Sequence, residues 1–146
     1  MRRATFTDLP AIRALQRGAY ARNREILGVE PLPLQADYAT IMNSHEVFLL
    51  EHEGAVAGVL VLAVEGDALL IWSVATAPGA QGRGHGNAML AFAEKEARAR
   101  GLPQIKLYTG EKLAGNIAWY ERKGFHVAWT GELPDRRVVH MTKVLD

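Results

Sequence analysis

One unit restricts this chain's fold more than any other. An apolar run, "DALLIWSVAT" (Asp67–Thr76), leads into the glycine-rich stretch "APGAQGRGHG" (Ala77–Gly86). A long amphipathic segment follows, then a second apolar run, "QIKLYT" (Gln104–Thr109). Runs of this composition bounded by turn residues predict strands. Between them, Leu90, Ala93 and Ala97 fall on one helical face, while Glu94 and Arg98 pair at i,i+4 on the outside. This predicts a helix from Arg83 or Gly84 to Arg100, stopped by Gly101 and barred from continuing by Pro103. A strand–helix–strand unit of this kind closes as a right-handed crossover with its strands parallel. The glycine turn therefore sits where a strand ends and a helix begins.

The other elements are predicted around that unit. Residues 2–5 form a short strand. Thr7 or Asp8 caps a helix from Leu9 to Arg24, with Pro10 tolerated in its first turn and Ile12, Leu15, Ala19 and Ile26 as its apolar stripe. A second helix spans Leu34 to Ser44. "EVFLLEHEG" and "AVAGVLVLAVEG" form a hairpin turning near Glu53-Gly54. A short helix covers Ala114 to Lys123 and ends at Gly124. "FHVAWTGEL" and "RVVHMTKVL" close the chain as two strands with a turn at Pro134-Asp135. The order β-α-α-β-β-β-α-β-α-β-β, with its hairpins, predicts a mixed α/β fold. Its sheet is mostly antiparallel, flanked by helices, within a single domain over residues 1–146.

Composition removes several functions. Apolar residues make up 49% and charged residues 23%, the balance of a globular chain. The longest apolar run, Ala55–Val64, is interrupted by Gly58 and falls short of the ~20 residues of a membrane span. The N-terminus, "MRRATFTDLP", lacks the pattern of a secretory leader. There are no cysteines, which excludes disulfides, thiolate metal sites and a cysteine nucleophile and fits a cytoplasmic protein. The formal net charge is +1, with no basic tract suited to nucleic acid. No metal, membrane or nucleic-acid partner is expected.

The glycine loop fails two familiar phosphate patterns. A P-loop needs Lys and Ser/Thr after its last glycine, where this chain has His85-Gly86. A dinucleotide loop needs G-x-G-x-x-G, but counting from Gly82 or Gly84 ends on Asn87 or Met89. What remains is Gln81-Gly82-Arg83-Gly84-His85-Gly86, a Q-x-x-G-x-G pattern opening a helix. It suits a pyrophosphate physically. Glycines admit close approach to the backbone, a helix start supplies unpaired N–H donors, and Arg83 adds a charge-assisted contact. In this pattern the chain resembles the GCN5-related N-acetyltransferases, whose acetyl-CoA loop reads [Q/R]-x-x-G-x-[G/A].

The resemblance extends to "GNIAWYERKGF". There Asn116, Ala118, Tyr120, Gly124 and Phe125 match the family's later motif, with the alanine two rather than three residues after the asparagine. It implies that acetyl-CoA is the cosubstrate. It also implies that Val74, Ala75 and Thr76 meet the pantetheine arm backbone to backbone, and that the loop from Gln81 to Asn87, with Gly82, Arg83, Gly84, His85 and Gly86, holds the pyrophosphate. Asn116 would approach the pantetheine, and Tyr120 would protonate the leaving sulfur. A backbone N–H near Val74 would stabilise the oxyanion. By residue type alone, Tyr120 also fits an interface tyrosine and Asn116 a helix N-cap, a role compatible with the first. His85 reads as an exposed residue of the first helical turn rather than as a catalyst.

The expected activity is direct acetyl transfer to the primary amine of a small molecule, peptide or protein. The alternatives are a non-catalytic acyl-CoA-binding or sensing module and an interaction module with a structural glycine loop. Many family members carry a glutamate on the strand before the loop; "ALLIWSVAT" carries no carboxylate. The base candidates are Glu51, Glu111, His140 and a water chain past Ser73. Acceptor contacts are expected among Tyr20, Arg24, Glu25, Tyr38, Trp129 and Arg136. "FHVAWTGEL" offers an edge for a homodimer.

Overall fold

Uninterrupted apolar strands are expected where a sheet is covered on both faces, and the middle of this chain is built that way. The computed structural model describes residues 1–146. The strands are β1 (Arg2–Arg3), β2 (Glu46–His52), β3 (Ala55–Glu65), β4 (Ala68–Thr76), β5 (Gln104–Gly110), β6 (His126–Leu133) and β7 (Arg136–Val144). The helices are α1 (Leu9–Leu27), α2 (Leu32–Gln35), α3 (Tyr38–Ser44), α4 (His85–Ala99) and α5 (Ala114–Arg122). The sheet order is β1-β2-β3-β4-β5-β7-β6. Only β4 and β5 run parallel, so the sheet is mixed and mostly antiparallel, as expected.

Two cores sandwich the sheet. On one face Leu60, Leu62, Leu69, Ile71, Ile105 and Leu107 meet Met89, Leu90, Ala93 and Ala97 of α4 and Tyr120 of α5. On the other, Val47, Leu49, Val59 and Val61 meet Leu9, Ile12 and Leu15 of α1 and Tyr38 and Ile41 of α3. Alternation along β3 sends Val59 and Val61 to one core and Leu60 and Leu62 to the other, the two-residue period of a strand.

Three local expectations are corrected. The first strand is two residues, not four. The first helix runs three residues further, to Leu27. The predicted Leu34–Ser44 helix is two pieces, because the Asp37 carboxylate accepts the N–H of Ala39 (3.1 Å) and caps a fresh start at Tyr38. At the other end of the first helix, Asp8 accepts the N–H of Thr5 (2.7 Å) and closes a 3-10 turn ahead of α1.

The feature that shapes the site is a bulge in β4. Val61 pairs with Ser73 but Leu62 pairs with Ile71, leaving Trp72 as the extra residue. Leu69 and Ile71 face α4, whereas Ser73 and Ala75, of the same parity, face α1. One inserted residue has exchanged the faces of the strand. Pairing of β4 with β5 also ends at Ile71–Leu107. Beyond it β4 continues to Thr76 alongside β3, and β5 continues to Gly110 alongside β7. The two strands separate, and a wedge opens between them.

Candidate active site

The wedge widens into a cleft of about 750 Å³ lined from both sides of the sheet. Ala77 N–H donates to Ala57 O on β3 (2.8 Å). By the two-residue alternation of a strand, the N–H groups of Val74 and Thr76 turn the other way, into the wedge. Val74, Ala75, Thr76, Gln81, Gly86, Asn116 and Tyr120 all line the cleft. Gly82, Arg83, Gly84, His85 and Asn87 lie in the adjoining loop and first turn of α4, outside the cleft lining.

That loop is built to present amides. The first N–H of α4 to find a helical carbonyl is that of Ala88, on Gly84 O (3.0 Å); the N–H groups of residues 81–87 reach no carbonyl of the chain. Gly82 and Gly84 both sit at φ +80°, a left-handed backbone that turns successive N–H groups outward and that side chains disfavour. Gly86 is a glycine for another reason. A Cβ there would stand 3.2 Å from the Trp119 ring. The Trp119 indole N–H donates to Asn87 Oδ1 (3.3 Å), so α5 and the first turn of α4 are joined beside the cleft.

Tyr120 is buried, with its ring against Trp119 (5.0 Å between centroids) and edge-on to Phe125 (5.8 Å). Burial, and secondarily the neighbouring Tyr20, push its hydroxyl well above the ordinary tyrosine pKa, so it holds its proton. Asn116 is not a helix cap: α5 begins at Ala114, and Asn116 stands within its first turn. His85 is half-buried rather than exposed, 5.2 Å from the His52 ring, with Nε2 shielded and unpartnered.

None of Glu51, Glu111 and His140 lines the cleft. Glu51 pairs with Arg2 and Glu111 with Arg137 (3.1 Å). His140 is stacked on Trp129 (3.7 Å, 7°) and lies 5.5 Å from Tyr108. Burial, then Lys106, holds its pKa below the ordinary value. Ser73 does line the cleft; its hydroxyl meets Tyr20 Oη (2.9 Å) and accepts from Gln16 Nε2 (3.3 Å).

Of the acceptor-side residues, Tyr20, Glu25 and Arg136 reach the cleft, while Arg24, Tyr38 and Trp129 do not. Arg136 donates to Glu30 O (2.6 Å) and pairs with Asp135 (3.0 Å), tying the β6–β7 turn to the segment after α1. Sequence reasoning missed Trp72 and Tyr108, which also line the cleft. A signal existed: both lie toward the carboxyl ends of the parallel strands, where open α/β sheets bind ligands.

No curated protein matches the chain in sequence. The profile described as the acetyltransferase (GNAT) family matches residues 9–125. The ribosomal-protein-alanine N-acetyltransferase of Brucella melitensis is 28% identical, with 99% of this chain and 98% of that chain covered and a TM-score of 0.75. The ribosomal-protein-S18-alanine N-acetyltransferase of Escherichia coli is 24% identical, with 99% and 92% covered and a TM-score of 0.79. The PaiA N-acetyltransferase of Thermoplasma acidophilum, solved in complex with coenzyme A, is 14% identical, with 99% and 97% covered and a TM-score of 0.81. No helix is long and apolar enough to cross a membrane, and no cluster of three or more His, Cys, Asp or Glu side chains could hold a metal.

Proposed function

This chain belongs to the GNAT acetyltransferase family, and from that premise we propose that it is an acetyl-CoA-dependent N-acetyltransferase acting directly on a primary amine. The observation that carries the reading is the wedge between β4 and β5, continuous with a loop whose amides are free. A thioester substrate needs that combination: a slot with backbone donors along one wall and an anion site at its mouth.

The roles follow from position. Val74, Ala75 and Thr76 pair with the pantetheine arm through their backbone, and Val74 N–H stabilises the oxyanion that forms on attack. Gln81 to Asn87 hold the pyrophosphate, with Arg83 free to add its charge. Asn116 steadies the arm. Tyr120, which keeps its proton to high pH, gives it to the departing sulfur. No covalent enzyme intermediate is needed. The acceptor enters past Tyr20, Glu25 and Arg136.

Calorimetry with acetyl-CoA tests the donor half. Binding in the micromolar range, with a rise in Tm by mass action, is expected, and no binding refutes the proposal. Tyr120→Phe tests the catalytic half. Acetyl-CoA affinity stays within about twofold while kcat falls by roughly 10²-fold, the usual scale of a lost general acid. Unchanged turnover removes Tyr120 from the chemistry. The bare β4 favours one second reading, a non-catalytic acyl-CoA-binding module; binding without thiol release across a broad amine panel supports it.

A further inference from the structure

Resting on the transferase reading, the chemistry of the cleft narrows the acceptor. An alkylammonium has no lone pair for attack, so its proton must leave first. The titratable groups lining the cleft are Tyr20, Arg22 and Glu25 from α1, Tyr108 from β5, Tyr120 from α5 and Arg136 from β7; β4 and α4 contribute none. The two guanidiniums cannot accept a proton. The three tyrosines, all pushed up by burial, hold theirs. Glu25 is solvent-exposed. The hydrogen-bonded line inward from Tyr20 runs to Ser73 and Gln16. There it stops, because Gln16 Oε1 and Tyr38 Oη are buried without partners, and no carboxylate lies at its end. His140 is set behind Tyr108 and covered by Trp129.

We infer that transfer uses no general base from the enzyme: the acceptor enters as the free amine, so the cleft selects weakly basic primary amines, the α-amino group of a peptide or protein over the ε-amine of lysine. The step balances. The nitrogen lone pair forms the C–N bond, and the C–S bonding pair leaves on sulfur. The proton shed by nitrogen equals the one sulfur takes up through Tyr120. Ordinary α-amino groups have pKa values of about 7.7–8.0 and lysine about 10.4, so at pH 7.5 about a third of the former but only about 0.1% of the latter is free base. The stronger base is the better nucleophile and recovers part of that gap. A preference of roughly 10- to 100-fold in kcat/KM remains.

The test uses the full chain, acetyl-CoA and two pentapeptide amides. One begins with a free alanine and lacks lysine; the other is the same sequence, Nα-acetylated, with one internal lysine. Thiol release is followed from pH 6 to 10.5. The expected result is an acidic limb of unit slope that breaks at each peptide's own amine pKa, near 8 and near 10. In Glu25→Gln, whatever its rate, the limb stays with the acceptor. A limb shared by both peptides overturns the inference. If it lies below pH 6.5 and vanishes in His140→Gln, His140 is the base; if it vanishes in Glu25→Gln, Glu25 is. Acetyl-CoA binding with neither peptide acetylated at any pH refutes the α-amine class while leaving the family chemistry standing. Failure of acetyl-CoA to bind removes the transferase reading, and this inference with it.

Discussion

Gly84→Ala is the sharpest probe of the loop, because its neighbours supply the controls. Gly84 sits at φ +80° with no heavy atom within 4 Å of an added Cβ. The methyl group has room, so the cost is conformational. A left-handed alanine costs about 1–2 kcal/mol. If the loop keeps its shape, that strain lowers folded stability; at about 3 °C per kcal/mol for a chain of this size, Tm falls by roughly 3–6 °C. If the loop relaxes instead, Tm recovers but the amides of residues 85–87 turn away. Acetyl-CoA then binds about tenfold more weakly for each 1.4 kcal/mol transferred. The two losses together make up the strain. Gly79→Ala is the control, with an ordinary φ and nothing within 4 Å of a Cβ; it stays within about 0.5 kcal/mol of the parent in both readouts. Gly86→Ala fails differently. Its φ is ordinary, but its Cβ crowds the Trp119 ring at 3.2 Å and disturbs the Trp119–Asn87 contact. Differential scanning calorimetry and titration calorimetry measure both quantities. A Gly84→Ala protein indistinguishable from Gly79→Ala in Tm and acetyl-CoA affinity would refute the argument.

Ser73→Ala leaves Tyr20 Oη and Gln16 Nε2 without their partner in a buried setting, and urea unfolding is expected to show a loss of about 1–3 kcal/mol. A stability equal to the parent's would show that water replaces the hydroxyl. Asp8 accepts hydrogen bonds from Arg2 (2.9 and 3.0 Å) and from Thr5 N–H, which hold its carboxyl well below the ordinary value. Its contribution is therefore full above the unfolded pKa near 4 and declines as the pH falls below it. Asp8→Asn should lower Tm at pH 7 and flatten the fall in Tm between pH 4 and 2; parallel parent and variant curves would contradict this.

The topology was legible because its signals were redundant. The crossover from β4 through α4 to β5 was marked by two apolar runs, a helical stripe and the stop at Gly101-Leu102-Pro103, and each pointed the same way. The bulge at Trp72 was not legible. Every residue from Ala68 to Trp72 is apolar, so an inserted residue leaves no break in the pattern, and only the pairing with β3 reveals it. The two-piece region from Leu32 to Ser44 was hidden for the opposite reason. Asp37 is a good cap by type, but the apolar residues around it fit one continuous helix equally well. Within the loop, the sequence marks the glycines alike as admitting close approach to the backbone. The left-handed φ of Gly82 and Gly84 shows only in the fold, and the constraint on Gly86 is the face of Trp119, 33 residues later in the chain. Glu51, Glu111 and His140 were plausible bases by chemistry, and only the path of the sheet separates them from the cleft.

The pairing of β4 with β5 covers four residues on each strand, Ala68–Ile71 against Gln104–Leu107. On either side of that seam the strands are joined by longer antiparallel ladders, β2-β3-β4 to one side and β5-β7-β6 to the other. The molecule is therefore two leaves on a short spine, with α4 as the strap between them. Parting the leaves costs far fewer backbone bonds than unravelling either one. Slow opening should concentrate at the spine, and deuterium uptake at Lys106 would report it ahead of the ladder interiors. The Lys106 N–H faces β4, because that of Glu111, an odd number of residues on, faces Arg137 of β7. A substrate lodged between the leaves beyond the spine would act as a clamp, so occupancy of the cleft would be read as slower exchange at Lys106, a spine residue outside the cleft lining.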